Sequence, residues 1–69
     1  MQFNVGDRVV MTRYGHERYG TTHNNPLNVE GVIVDYNGTF WKVIWDNGSS
    51  NTYKIGTIEL VAPISLENI

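Results

Sequence analysis

No cysteine occurs among the 69 residues of this chain, and that absence removes disulfide frameworks, thiolate metal sites and thiol redox chemistry together. Without such staples a chain of this length lies near the lower limit at which one hydrophobic core holds a fold, so a single domain is expected. No apolar run approaches the length of a membrane span, and the start, Met1-Gln2-Phe3-Asn4, lacks the charged and apolar regions of a secretory leader. The missing cysteines leave the compartment open by themselves, and a reducing cytoplasm is the default. A cytoplasmic protein is therefore expected.

Positive charge is also scarce. Arg8, Arg13, Arg18, Lys42 and Lys54 stand against seven acidic residues, for a formal net charge of −2. Nucleic-acid binders normally concentrate basic side chains into a footprint, and this one is thin. Arg8, Arg13 and Arg18 fall close enough in sequence to make a local patch, although solvated surface cations are the plainer reading.

What the chain does have is a set of short extended runs. In Phe40-Trp41-Lys42-Val43-Ile44-Trp45, Val43 and Trp45 share one face and Lys42 and Ile44 the other, and the run stops at Asp46-Asn47-Gly48. That alternation followed by a hairpin signal predicts a strand from Thr39 to Trp45. Asn37-Gly38 predicts a tight turn joining it to Val29–Tyr36, in which Ile33 is the best inward candidate and Gly31 marks a bulge or a close backbone approach. A first strand is expected at Arg8–Thr12, with Val9 and Met11 alternating against Arg8, Val10 and Thr12, and a fourth at Ser50–Lys54, anchored by Tyr53. Ile55-Gly56-Thr57 suits a single 3₁₀ turn before a last strand at Ile58–Val61, which Pro63 ends. Arg13 to Asn28 is polar and rich in Gly, Thr and Asn, with neither helical nor strand periodicity, and is expected to be one long irregular loop. The pattern predicts an all-β fold, a five-stranded SH3-like barrel closed on itself over residues 1–63, followed by a loosely held tail over 64–69. In that tail Ile64, Leu66 and Ile69 are available to pack on the barrel or on a second subunit.

A search for catalytic chemistry finds little. His16 and His23 lie in the long loop without a third strong ligand at zinc-like spacing, so no metal is expected. Asp35, Asp46, Glu30 and Glu59 are accounted for as turn or strand-end residues, no serine has a nucleophile setting, and no glycine cluster opens a helix to cradle phosphate. The chain is expected to be neither an enzyme nor a cofactor carrier. The aromatics are more informative. Val43, Trp45 and Tyr53 suit a small core that needs large side chains. Tyr14 and Tyr19 in the long loop, with Trp41 at the barrel mouth, are the expected contact surface, and Arg13, Arg18 and Glu17 set its charge.

Taken in order, Val5-Gly6-Asp7-Arg8-Val9, Glu30-Gly31-Val32-Ile33, Val43-Ile44-Trp45-Asp46-Asn47-Gly48, Asn51-Thr52-Tyr53-Lys54-Ile55-Gly56 and Glu59-Leu60 resemble the MIB/HERC2 domain, an SH3-like module of ubiquitin ligases. The resemblance implies a role in binding protein or peptide. In place of that family's tryptophan-rich first loop stands Tyr14-Gly15-His16-Glu17-Arg18-Tyr19-Gly20. Gly6-Asp7-Arg8-Val9 and the stretch from Tyr53 to Leu60 are more weakly similar to the plasmid-borne type II dihydrofolate reductases, tetramers with a shared central pore. Of the Val-Gln-Ile-Tyr segment that lines that pore, Ser50-Asn51-Thr52-Tyr53 keeps only the tyrosine.

Three functional readings follow. The first is a small binding module that engages a protein or peptide through an aromatic groove, as a monomer or small homo-oligomer. Read as complete from Met1, it would be a stand-alone adaptor or inhibitor of the kind that compact viral and microbial genomes encode. The second is a nucleic-acid binder that stacks bases on the same aromatics, with Arg8, Arg13, Arg18 and Lys42 on phosphate. The third is an oligomeric reductase. Acidic charge disfavours the second and the missing pore motif the third.

Overall fold

The computed structural model describes residues 3–61. Within them the elements run β1 (Arg8–Met11), α1 (Arg13–Tyr19), β2 (Gly31–Tyr36), β3 (Trp41–Trp45), β4 (Ser50–Tyr53) and β5 (Ile58–Leu60). The strands form one antiparallel sheet in the order β4-β3-β2-β1-β5. All five expected strands are present, each trimmed by a residue or more. The end at Pro63 and the tail 64–69, with Ile64, Leu66 and Ile69, lie outside the described residues.

Alternation explains which faces meet. Val9 and Met11 of β1, Ile33 of β2, Trp41, Val43 and Trp45 of β3, Tyr53 of β4 and Ile58 of β5 are all buried, and Phe3 joins them from the N-terminal side. Phe3 meets Trp41 edge-on, with ring centroids 5.3 Å apart and planes at 84°, a favoured arrangement for two aromatic quadrupoles. Sequence pattern did not mark Phe3, because it lies outside any alternating run.

The bulge expected at Gly31 occurs further along β2. Ile33 opposes Val43, but Asp35 opposes Lys42 and Tyr36 opposes Trp41, so the register slips between Ile33 and Asp35. The slip resets the alternation: Ile33 faces inward, Val34 and Asp35 are both exposed, and Tyr36 returns to lie over Trp41 at 3.8 Å with planes 18° apart. Gly31 has the other role that was expected of it. A Cβ there would sit 2.6 Å from both Trp45 Cε3 and Val43 Cγ1, and 2.8 Å from the Ile44 carbonyl oxygen, so the Trp45 ring packs directly on the Gly31 backbone.

Two expectations are corrected. Ile55-Gly56-Thr57 makes no 3₁₀ helix; it lies in a turn in which Thr57 N–H donates to Lys54 O at 3.3 Å, and Gly56 takes φ 93°, a value that a right-handed 3₁₀ turn excludes. The ladder is also not closed into a barrel. β4 and β5 are the two edges of the sheet, and no strand pairing joins them among the described residues. The β4 edge is instead dressed by side chains: Asn24 Nδ2 donates to Ser50 O at 3.1 Å, and Asn51 Oδ1 accepts from Thr52 N–H at 2.9 Å.

Candidate functional site

The segment after β1 is where sequence pattern and structure differ most. Arg13–Tyr19 is helical, not irregular. Fewer than two turns is too short for apolar periodicity to register, but the ends carry recognisable signals. Thr12 is the N-cap: its Oγ1 accepts from Gly15 N–H at 2.9 Å and donates to Gly56 O at 2.8 Å. At the other end Gly20 N–H returns to His16 O at 2.8 Å, and Gly20 takes φ 79°. Arg13 and Glu17, one turn apart, pair at 3.2 Å. Gly15 lets the helix lie on the β4–β5 turn, since a Cβ there would stand 2.4 Å from Thr57 O. Thr12→Ala is expected to lose about 1 kcal/mol of stability, the usual cost of removing a cap. Faster amide exchange at Gly15 and a lower urea midpoint would show it.

Once the segment is helical, the residues expected to act together separate onto different faces, because positions three and four apart share a side. Gly15 and Tyr19 turn toward the sheet, where the Tyr19 ring lies 6.3 Å from that of Tyr53. Tyr14 and Arg18 project outward and are exposed. Arg13, His16 and Glu17 form the remaining face. Trp41, expected at a barrel mouth, is instead 5 % exposed and sits beneath Tyr36 and against Phe3.

The third helix face borders a groove of about 420 Å³, lined by Met11, Arg13, His16, Glu17, Thr21 and Leu27. Met11 is buried and forms apolar floor, whereas Leu27 is 58 % exposed on the far wall. Thr21 Oγ1 lies 3.1 Å from His16 Nδ1 and ties the loop to the helix. Arg13 and Glu17 were expected from the sequence. The strand pattern marks Met11 only as sharing a face of β1 with Val9, and His16, Thr21 and Leu27 become part of a site only in the folded chain.

The loop after α1 is held by polar contacts that fix the groove wall. Residues 21–25 act as a strap along the β3–β4 hairpin. His23 O accepts from Asn47 Nδ2 at 2.9 Å and Ser49 Oγ at 2.7 Å. Asn24 O accepts from Trp45 Nε1 at 3.1 Å and lies 2.6 Å from Tyr53 Oη, which also lies 2.7 Å from Asn25 Oδ1. Asn51 Nδ2 donates to the same Asn25 oxygen at 3.0 Å. Burial holds the Tyr53 hydroxyl above the ordinary phenol range, an effect that its hydrogen bonds partly oppose.

Two of the three arginines, Arg8 and Arg13, are paired with acidic side chains. Arg8 donates to Glu30 and Asp46 together, and the hydrogen bond from Arg8 lowers the Asp46 carboxyl below its ordinary value. With Arg13 committed to Glu17, the three arginines do not make an unopposed positive patch. All these pairs are exposed to solvent and contribute little to stability. Among the described residues no set of three His, Cys, Asp or Glu side chains is placed to hold a metal, and no helix is long and apolar enough to cross a membrane. No family model, no curated protein and no solved structure matches the chain.

Proposed function

We propose that this chain is a small non-catalytic binding module of the SH3-like type, cytoplasmic, which takes a segment of another protein into the groove between α1 and Leu27. The groove itself carries the reading: an apolar floor and one exposed leucine are bordered by a charged rim, beside a loop hydrogen-bonded to the β3–β4 hairpin. The strand order β4-β3-β2-β1-β5 and the resemblance to MIB/HERC2 modules support the same assignment. Tyr14 and Arg18, exposed on the adjoining helix face, extend the contact surface beyond the groove. The nucleic-acid alternative is weakened because Arg8 and Arg13, two of its phosphate contacts, are engaged with acidic side chains.

Selection of phage-displayed random peptides on the immobilised chain tests this reading. Binders are expected whose affinity falls at least about tenfold, or about 1.4 kcal/mol, in Leu27→Asp. The same peptides should bind normally to Ile44→Asp, which alters the outer face of the sheet. Equal binding by both variants would remove the groove from the proposal.

A further inference from the structure

We infer that the β2–β3 turn is a site of spontaneous covalent modification: in the folded chain Asn37 loses its side-chain amide to attack by the backbone nitrogen of Gly38, while Asn47, which also precedes a glycine, is protected by hydrogen bonds to His23 and Trp45. Attack on an asparagine side chain by the following backbone nitrogen is easiest before glycine, which has no Cβ to obstruct it. Asn37-Gly38 and Asn47-Gly48 are the two such pairs in the chain. Every other described asparagine precedes a residue that carries a side chain, namely Val5, Asn25, Pro26, Val29 or Thr52. In the reaction the Gly38 nitrogen gives up its proton and bonds to Asn37 Cγ, the Cγ–Nδ2 bond breaks, and ammonia leaves with a proton. Water then opens the resulting cyclic imide at either carbonyl, which yields an aspartyl residue or an isoaspartyl link at that position.

The two pairs make a controlled comparison within one molecule. Both lie exposed in tight turns, with Gly38 at φ 96° and Gly48 at φ 91°. Negative charge collects on the asparagine Oδ1 as Cγ is attacked, and in both cases two donors already point at that oxygen. Asn37 Oδ1 accepts from Thr39 N–H at 2.9 Å and Phe40 N–H at 2.8 Å, and Asn47 Oδ1 from Ser49 N–H at 3.0 Å and Ser49 Oγ at 2.7 Å. The nucleophile and the leaving group are what differ. Gly48 N–H donates to Trp45 O at 2.9 Å, and Asn47 Nδ2 donates to His23 O at 2.9 Å. Among the described residues neither Gly38 N–H nor Asn37 Nδ2 has a partner. Attack at Asn47 must first give up both bonds, and two ordinary hydrogen bonds correspond to about tenfold or more in rate. The products at Asn37 also differ in consequence. An aspartyl carboxylate keeps both N–H donors, whereas an isoaspartyl link lengthens the main chain inside a turn that Asn37 N–H closes on Phe40 O at 3.2 Å, beside the Tyr36–Trp41 stack.

The test incubates the full chain at mildly alkaline pH, with its fold followed by circular dichroism, and locates the amide-to-acid mass change by fragmenting tryptic peptides. Cleavage after Lys42 places Asn37 and Asn47 in separate peptides. In the folded chain, conversion of Asn37 is expected to be at least about tenfold faster than that of Asn47, and its isoaspartyl product should accept a methyl group from an isoaspartyl methyltransferase. The same incubation in guanidinium, where neither turn persists, should bring the two rates together. Equal rates in the folded chain, or faster conversion of Asn47, would overturn the assignment. A disparity that survives in guanidinium would trace it to neighbouring sequence and overturn the protection of Asn47 by the fold.

Discussion

Gly31→Ala is expected to unfold this domain or bring it close to unfolding. The added methyl would stand 2.6 Å from Trp45 Cε3 and Val43 Cγ1, well inside contact distance. None of the obstructing groups can move cheaply. Trp45 and Val43 are buried between strands, and the third neighbour, at 2.8 Å, is the Ile44 carbonyl oxygen. Overpacking a tight core costs about 1–3 kcal/mol and at times more, and the rigidity of these neighbours places this case at about 3 kcal/mol or above. Against a total stability of roughly 3–10 kcal/mol for a chain this size, at ~0.05–0.15 kcal/mol per residue, such a loss is severe. Guanidinium unfolding followed by tryptophan fluorescence measures it. Gly38→Ala is the control: it meets nothing within 4 Å and strains only the backbone, at φ 96°. If Gly31→Ala costs no more than Gly38→Ala, then Trp45 does not pack on the Gly31 backbone as described.

Tyr53→Phe should cost about 2 kcal/mol, because the hydroxyl takes part in three contacts of typically 0.5–1.5 kcal/mol each. It accepts from Trp45 Nε1 and shares its single proton between Asn24 O and Asn25 Oδ1. The phenyl ring would keep the packing against Trp45, so the loss belongs to the strap and not to the core. Amides of residues 21–25 should exchange faster while those of β2 and β3 change less. The pH dependence gives an independent check. Since the folded hydroxyl titrates above its ordinary value of 10.0, an unfolded Tyr53 releases its proton first. The stability that Tyr53 contributes is complete below about pH 10 and is lost as pH rises through the raised folded value. The phenylalanine variant should lack that share of the alkaline loss. An unchanged alkaline limb, or uniform exchange across the sheet, would refute the role assigned to the hydroxyl.

Much of the sheet was legible in the sequence, because alternation is a local signal. Val9, Met11, Ile33, Val43 and Trp45 could be assigned to one side from their neighbours alone, and each is buried. Trp41 obeys the same rule and lies inside for the same reason; placing it at a barrel mouth set the end of a strand above its parity. Features set by tertiary contact were less visible. The site of the bulge depends on how β2 meets β3, and Phe3 is core only because Trp41 offers it an edge. The candidate site was half legible. Arg13 and Glu17 could be named from the polar segment, but reading that segment as a loop gave no reason to separate them from Tyr14 and Tyr19. Thr12, Gly20 and the Arg13–Glu17 spacing were the clues to a helix. Leu27 and Met11 are 16 residues apart and meet across the groove only in the folded chain.

The amides that dress the β4 edge bear on how this small protein behaves when crowded. A bare strand margin is a template on which another molecule can lay down its own backbone, and repetition of that step builds fibrils. Here Asn24 occupies Ser50 O and Asn51 occupies Thr52 N–H, so two of the groups that such a visitor would seek on this margin are already taken. The same two asparagines that finish the outline of the folded chain also guard it against polymerising along that side.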